Sequence, residues 1–168
     1  MVFIISCFLI FVIGINNGGM NKKRVWAILG KCKTTPLSTA KEDYSTTLQR
    51  LWPYVDLFVI NVSSPNTPGL RELQHGDHLK EILEACTTVN QACANDSNSD
   101  IKPLLIKVAP DLSTGELESI VDTATACNID GIVATNTTIE RPNEDHKTYR
   151  ESGGCSGFPL KSRSTEMI

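Results

Sequence analysis

Short apolar runs alternate with amphipathic stretches along most of the chain. Four of these runs have the length and composition of buried strands, and they lie at residues 25–29, 57–60, 104–108 and 131–134. The segments between them carry apolar residues at helical spacing. Single strands that alternate with helices predict βαβ units, and therefore a parallel sheet with an α/β fold.

Three helices are predicted between these strands. A capping box that begins at Thr39 opens the first, which ends before Pro53. Asp77 is predicted to cap the second helix, and a capping box that begins at Ser113 opens the third. The polar stretch at residues 90–100 is predicted to be a solvated loop.

Residues 1–13 are nearly all apolar and differ from the rest of the chain. A membrane-spanning helix needs roughly 20 apolar residues, so this run is short for one. No basic residue precedes it, as a secretory signal requires. Three explanations stay open: a non-native start such as translated non-coding sequence, a buried strand, or an uncleaved anchor.

Length and charge limit the possible functions. The 168 residues suffice for one domain with a sizeable core, but a complete (β/α)₈ barrel takes roughly 250. A net charge of −3 with interspersed signs does not indicate a nucleic-acid partner. The six cysteines form no C-x-x-C pair, so no metal site is predicted.

Polar side chains follow the predicted strands at their carboxyl ends. Asn61 and Ser64 follow the second strand, Lys107 lies near the end of the third, and Thr135 and Asn136 follow the fourth. In barrels and open α/β sheets this edge binds ligands. Lys107 interrupts an apolar strand, where an unpaired ammonium is costly, and this favours a functional role. The pattern therefore predicts a ligand site at this edge.

Four motifs in this order resemble the class 2 dihydroorotate dehydrogenases. They are Asn-Val-Ser-Ser-Pro-Asn-Thr at residues 61–67, Lys-Val-Ala-Pro-Asp-Leu at 107–112, Thr-Asn-Thr-Thr at 135–138 and Gly-Gly-Cys-Ser-Gly at 153–157. The resemblance implies a partial (β/α)₈ TIM barrel with about half of its strands present. Residues 14–168 would then form an incomplete FMN-binding barrel domain.

The resemblance also implies a reaction. Family members oxidise dihydroorotate to orotate in de novo pyrimidine biosynthesis, with a quinone as the electron acceptor of class 2. A base removes the C5 proton, and a hydride passes from C6 to N5 of FMN. By motif, Ser64 is that base and its neighbour Ser63 is not. Because a serine hydroxyl is a weak base, a water or threonine relay is expected beside it.

The motifs assign the remaining site residues. Asn61, Asn66, Asn136 and Thr137 match substrate contacts, and asparagine amides suit a planar ring that bears carboxylate, carbonyl and N–H groups. The residues that match flavin contacts are Asn61, Lys107, Thr135, Ser156 and Gly157. A fixed cation such as Lys107 would stabilise negative charge on the reduced flavin.

Some features depart from the family pattern. Ile28 and Phe11 stand where the family has asparagines, which keeps a decayed, non-catalytic paralogue open as an alternative. Another FMN-dependent barrel oxidoreductase acting on pyrimidines is a second alternative, although Ser64 disfavours it. The segment that binds the flavin phosphate and the N-terminal region that admits quinone are not recognised. The chain alone is therefore expected to be inactive. A mitochondrial inner-membrane location, through that N-terminal region, rests on the resemblance.

Overall fold

Four parallel strands form the centre of the molecule. The computed structural model describes residues 24–141 and 150–168 in full, and only the backbone of Phe3–Ile5 and Phe8–Ile13. The parallel strands are β3 (Arg24–Leu29), β4 (Leu57–Asn61), β5 (Leu104–Val108) and β6 (Gly131–Ala134), adjacent in chain order. The predicted parallel α/β sheet is therefore confirmed.

The apolar N-terminal segment extends this sheet. Strand β1 (Phe3–Ile5) pairs antiparallel with β2 (Phe8–Ile13), and β2 pairs antiparallel with β3. The backbone thus agrees with the strand explanation for residues 1–13. The side chains of β1 and β2 lie outside the described residues.

The structure describes four α-helices, and the first three cover one face of the sheet. They are α1 (Ala40–Leu51), α2 (Gly76–Ser97), α3 (Thr114–Ala126) and the C-terminal α4 (Phe158–Glu166), with 3-10 helices at Leu37–Thr39, Trp52–Tyr54 and Leu70–Gln74. The core lies between the first three helices and the strands. Its largest fully buried side chains are Tyr44, Phe58, Leu29, Leu48, Ile60, Leu70, Leu73, Leu79, Ile82, Leu83, Leu104 and Ile106.

The predicted side-chain caps are confirmed in one case of three, although α1 does begin directly after Thr39. At α3, Ser113 Oγ accepts from Glu116 N (3.3 Å) while Glu116 Oε2 accepts from Ser113 N (2.8 Å), which confirms the capping box. The Thr39 box was wrong, because a 3-10 helix precedes α1 and the Thr39 side chain caps nothing. The Asp77 cap was also wrong, because α2 already begins at Gly76.

The predicted loop at residues 90–100 is wrong. Helix α2 continues to Ser97 and ends where Asn98 adopts a left-handed conformation (φ 48°). Asn90 lies on the buried face of this helix, only 1% exposed. Its Oδ1 accepts from Trp52 Nε1 (2.8 Å), and its Nδ2 donates to the Lys102 carbonyl (2.7 Å). Polar composition misled the prediction because this asparagine is buried with its hydrogen bonds satisfied.

Asn90→Ala is expected to lower the free energy of unfolding by about 1–3 kcal/mol, since it leaves the Trp52 indole N–H and the Lys102 carbonyl without partners. Thermal and urea unfolding measure the change. The matched control is Asn95→Ala on the same helix, because Asn95 is exposed and bonds only to Gln91 through its side chain. Equal effects of the two substitutions would contradict the role of Asn90.

The opposite face of the sheet is open. Trp26, Ile28, Leu105 and Val133 lie there half-exposed, and in β3 and β5 they alternate with the fully buried Ala27, Leu29, Leu104 and Ile106. In a closed barrel this face is the filled interior. No helix in the described part of the chain is both long and apolar enough to cross a membrane.

Candidate functional site

The carboxyl ends of β4, β5 and β6 bring the predicted polar residues together. Asn61 ends β4 and pairs in register with Lys107 of β5. Asn136 follows β6 and donates its backbone N–H to the Val108 carbonyl (2.8 Å). Residues separated by up to 75 positions in sequence therefore meet at one edge of the sheet, as expected for parallel strands.

Three side chains form a hydrogen-bonded group that we call the amide cluster: Asn61, Ser63 and Asn136. Asn61 Oδ1 accepts from Ser63 N (3.3 Å), Ser63 Oγ (3.0 Å) and Asn136 Nδ2 (3.2 Å). Asn136 Nδ2 also donates to Ser63 Oγ (3.0 Å). Ser63 is fully buried. The cluster therefore locks both amides and leaves the Asn61 Nδ2 donor without a partner among the described residues.

Tyr44 supports this cluster from the core side. Its hydroxyl donates to the Asn61 carbonyl (2.9 Å), and the whole side chain is buried. Burial raises the pKa of Tyr44 far above its usual value of 10, so the hydroxyl keeps its proton and remains a donor. Helix α1 thus fixes the end of β4.

Ser64 stands beside the amide cluster but outside it. Its side chain is half-buried, and its Oγ accepts from the Asn66 backbone N–H (3.3 Å). Asn66 is exposed, and its side-chain amide donates to no described residue. The two adjacent serines therefore differ: Ser63 is used for structure, whereas the Ser64 hydroxyl accepts from the Asn66 N–H and its own proton has no acceptor among the described residues.

Lys107 places an ammonium at this edge. It lies half-buried between the buried Ile106 and Val108, and its ammonium has no hydrogen bond or ion pair with any residue that the structure describes. Desolvation by burial lowers the pKa of Lys107 below its usual 10.5. Such an ammonium would be stabilised by an electron-rich ligand.

The loops after β6 carry the remaining predicted residues. Thr135 Oγ1 donates to the Asn136 carbonyl (2.9 Å), and Thr137 N donates to Asn136 Oδ1 (2.8 Å). Both threonines thus border the amide cluster. Thr138 exchanges two backbone hydrogen bonds with Cys155 (3.0 and 2.7 Å), which brings residues 150–157 against this loop.

Ser156 and Gly157 sit at the margin of the site. Both residues are exposed, and neither forms a hydrogen bond with the amide cluster in the described ranges. Gly157 precedes α4 with φ 84°, and a Cβ built there would meet nothing within 4 Å. A residue with a side chain would be strained at this φ, and the absence of a side chain lets a ligand approach the backbone. Both features favour glycine at position 157. Gly154 is tight instead, since its Cβ would lie 1.8 Å from Thr137 Oγ1.

The sequence did not assign roles to Arg71 and Asp111, whose side chains the structure places at the same carboxyl edge of the sheet. Their side chains form an ion pair (2.7 Å between Arg71 Nη1 and Asp111 Oδ2) with side-chain exposures of 21% and 17%. Asp111 lies in the quoted motif at residues 107–112, shortly after β5, which was the available signal for it, whereas no quoted motif contains Arg71. Among residues 24–141 and 150–168, no group of three or more potential metal ligands occurs.

Ile28 occupies the sheet one strand away from Asn61. It pairs in register with Val59 and its side chain lies on the open face. The asparagine of the family pattern would point the same way from this position, so the substitution removes one polar group from that face. The side chain of Phe11 lies outside the described residues.

Comparison with known proteins supports a single family. The family model described as dihydroorotate dehydrogenase matches residues 13–168. Dihydroorotate dehydrogenase (quinone) of Gloeobacter violaceus is 45% identical over 166 residues, which cover 92% of this chain and 44% of the relative. The same enzyme of Thermosynechococcus vestitus is 47% identical over 148 residues, or 83% of this chain and 38% of the relative.

Solved structures agree. The crystal structure of DHODH from Eimeria tenella in complex with ferulenol superimposes with a TM-score of 0.77 at 36% identity, covering 84% of this chain and 40% of that chain. The ligand-free form from the same organism gives a TM-score of 0.73 at 38% identity. The chain therefore spans less than half the length of the relatives it matches.

Proposed function

Because this chain belongs to the dihydroorotate dehydrogenase family, in its quinone-dependent class, we propose that the whole protein oxidises dihydroorotate to orotate, with FMN as cofactor and a quinone as electron acceptor. The observation that carries the proposal is the amide cluster, which lies at the carboxyl edge of the sheet directly beside the Ser64 hydroxyl and the unpaired Lys107 ammonium. This combination offers substrate anchoring, a proton acceptor and a fixed cation at one edge.

Substrate binding is assigned to Asn61, Asn66, Asn136 and Thr137. The Asn61 Nδ2 donor and the Asn66 amide remain available for the carbonyl and carboxylate oxygens of the pyrimidine ring. Asn136 has both amide groups engaged, through Asn61, Ser63 and Thr137. Its first role is therefore to hold the others in place, and contact with substrate would need only a small shift of its Nδ2 hydrogens.

Proton abstraction at C5 is assigned to Ser64. The Asn66 N–H that donates to Ser64 Oγ orients the hydroxyl lone pairs and leaves its proton free to pass to a further acceptor. No carboxylate or imidazole among the described residues is hydrogen-bonded to Ser64. The onward acceptor, a water or a threonine hydroxyl, stays a prediction.

The described residues fit a flavin. Lys107 supplies an ammonium that lacks a partner, Asn61 and Thr135 add polar atoms at the same edge, and Gly157 leaves open space at bare backbone where Ser156 also lies. When bound, FMN supplies the acceptor for the hydride that leaves C6 of dihydroorotate. Lys107 then stabilises the negative charge that this transfer brings to the site.

Quinone reduction and location are proposed from the family alone. The relatives from Gloeobacter violaceus and Thermosynechococcus vestitus are named as quinone enzymes. Membrane association would involve a part of the whole protein N-terminal to the matched region, and the mitochondrial inner membrane stays a prediction for it.

The proposal is tested by purifying the whole protein with FMN and measuring orotate formation with a soluble quinone. We expect turnover with dihydroorotate and none with dihydrouracil, which lacks the carboxylate. Preference for dihydrouracil would favour another pyrimidine-oxidising flavin barrel. A folded, flavin-loaded protein without turnover on either would favour a decayed paralogue, for which Ile28 is the structural evidence.

The 168-residue chain alone serves as the comparison in that assay. We expect it to show neither stoichiometric flavin nor turnover, because the interior face of its sheet is open and half-exposed at Trp26 and Leu105. Flavin binding and turnover by this chain would contradict the expectation of an incomplete barrel.

A further inference from the structure

The Arg71 guanidinium joins three loops at the carboxyl edge. Its Nε donates to the Ser63 carbonyl (3.2 Å) in the loop after β4, and its Nη2 donates to the Thr137 carbonyl (2.9 Å) after β6. Its Nη1 donates to Asp111 Oδ2 (2.7 Å) after β5. Every nitrogen of the side chain is therefore used, each toward a different loop. A lysine ammonium has too short a span of donors to reproduce this fork.

Asp111 extends the same connection. Its Oδ2 also accepts from the Ile139 backbone N–H (3.3 Å), and its Oδ1 accepts from the Thr138 hydroxyl. The carboxylate thus holds the β6 loop by two further bonds while it neutralises Arg71. A partly exposed ion pair gains little stability by itself, but the hydrogen bonds of this one hold a single arrangement of the groups around it.

The backbone that carries Arg71 is anchored independently of Ser64. Arg71 belongs to the 3-10 helix Leu70–Gln74, in which Leu70 and Leu73 are buried in the core. Gln74 is also buried and its Oε1 accepts from the Ala109 N–H (2.9 Å). The backbone of Arg71 is therefore held by the core, and its guanidinium can restrain the loop at residues 63–64.

We propose that Arg71 is a positioning residue for proton abstraction: by holding the Ser63 carbonyl, it fixes the Ser63–Ser64 peptide and so aims the Ser64 hydroxyl at the substrate. The inference rests on the proposed function of Ser64. Arg71 itself donates to backbone carbonyls and to Asp111, and not to the Ser64 side chain. Its effect on the reaction passes through Ser64.

A double-mutant cycle in the whole protein tests this. Arg71→Ala is expected to lower kcat for dihydroorotate by about 10- to 100-fold, because small misplacement of a reacting group has effects of this size. KM should change less than kcat, and flavin content should stay stoichiometric. In a Ser64→Ala background the same Arg71 substitution should cost almost nothing further, since its target is gone.

Two variants keep the test decisive. Arg71→Lys covers the case in which Arg71→Ala folds poorly. Added guanidinium ion should restore part of the kcat of Arg71→Ala, but it should not restore the kcat of Ser64→Ala. Arg50→Ala, at an exposed arginine of α1, is the matched control and should leave kcat unchanged.

The outcomes separate this inference from the proposed function. Full activity of Ser64→Ala would refute the base assignment itself. A normal effect of Ser64→Ala together with an additive effect of Arg71→Ala, or an unchanged kcat in Arg71→Ala, would overturn the positioning role. A loss of kcat that follows a matching loss of flavin or of melting temperature would show a purely structural role, and would overturn it too.

Discussion

Ser64→Ala is expected to slow dihydroorotate oxidation by the whole protein by about 10²- to 10⁴-fold, the range that a general base contributes. The substitution removes the hydroxyl that the family motif assigns as the base and that the amide cluster does not use. Orotate binding should change little, because Asn61 and Asn136 hold each other and Ser63 without Ser64. Steady-state orotate formation gives the rate, and fluorescence titration with orotate gives the dissociation constant.

The control for Ser64 is Ser119→Ala in α3, an exposed serine far from the edge of the sheet. It should leave both rate and binding unchanged. If Ser64→Ala retained the wild-type rate, another group would have to take the C5 proton. If it lost orotate binding and rate together, Ser64 would be a substrate contact, and the assignment as base would be wrong.

Lys107→Met is expected to lower the oxidation rate by about 10²- to 10³-fold, as removal of a fixed charge-stabilising donor does, and to weaken retention of FMN. The flavin-free protein should become more stable by roughly 0.5–1 kcal/mol, because the substitution removes a desolvated ammonium that has no partner in the described structure. Flavin absorbance, steady-state kinetics and thermal unfolding of the flavin-free protein measure the three effects.

The pH dependence of that stability gain gives a further check. The folded-state pKa of Lys107 is lowered from 10.5, so the charged form opposes folding at neutral pH. As pH rises through the lowered pKa toward 10.5, wild-type Lys107 loses its charge in the folded state and the penalty disappears. The advantage of Lys107→Met should therefore shrink in that alkaline range.

Lys80→Met, at an exposed lysine of α2 whose partner is Glu84, is the control for Lys107. It should change neither flavin content nor rate. A Lys107→Met protein that kept its flavin and its rate would contradict the proposed cation role. A loss of stability in the flavin-free state would contradict the view that this ammonium is costly without a ligand.

Much of the fold was predictable from local pattern. Each parallel strand is an apolar run closed by a turn or a polar residue, and the observed bounds differ by at most one residue from those predicted. The end of α2 was not predictable in this way. Asn90 is a polar residue, but it is buried because it forms hydrogen bonds with Trp52 and Lys102, which lie 38 and 12 residues away in sequence. Only the packing of α2 on the sheet creates that environment.

For the candidate site, too, the sequence predicts which residues take part better than it predicts their contacts. The residues that meet at the carboxyl edge could be named from strand direction and motif, since Asn61 and Lys107 follow from where strands end. The hydrogen bonds that these residues make with one another could not be predicted in this way. In sequence, the resemblance to the family motif was all that distinguished Ser64 from its neighbour Ser63, and the hydrogen bonds of the amide cluster supply the physical difference. The Arg71–Asp111 pair spans 40 residues and depends on how two loops meet, which no local pattern encodes.

The most direct test of the account is a single turnover. The flavin-loaded whole protein is mixed without oxygen with dihydroorotate, either unlabelled or deuterated at C5, and the flavin absorbance is followed. We predict rapid bleaching that is slower with the C5-deuterated substrate, because the Ser64 hydroxyl must accept that proton or deuteron before the oxidation is complete. A flavin that stays oxidised in the presence of bound dihydroorotate would contradict the central claim.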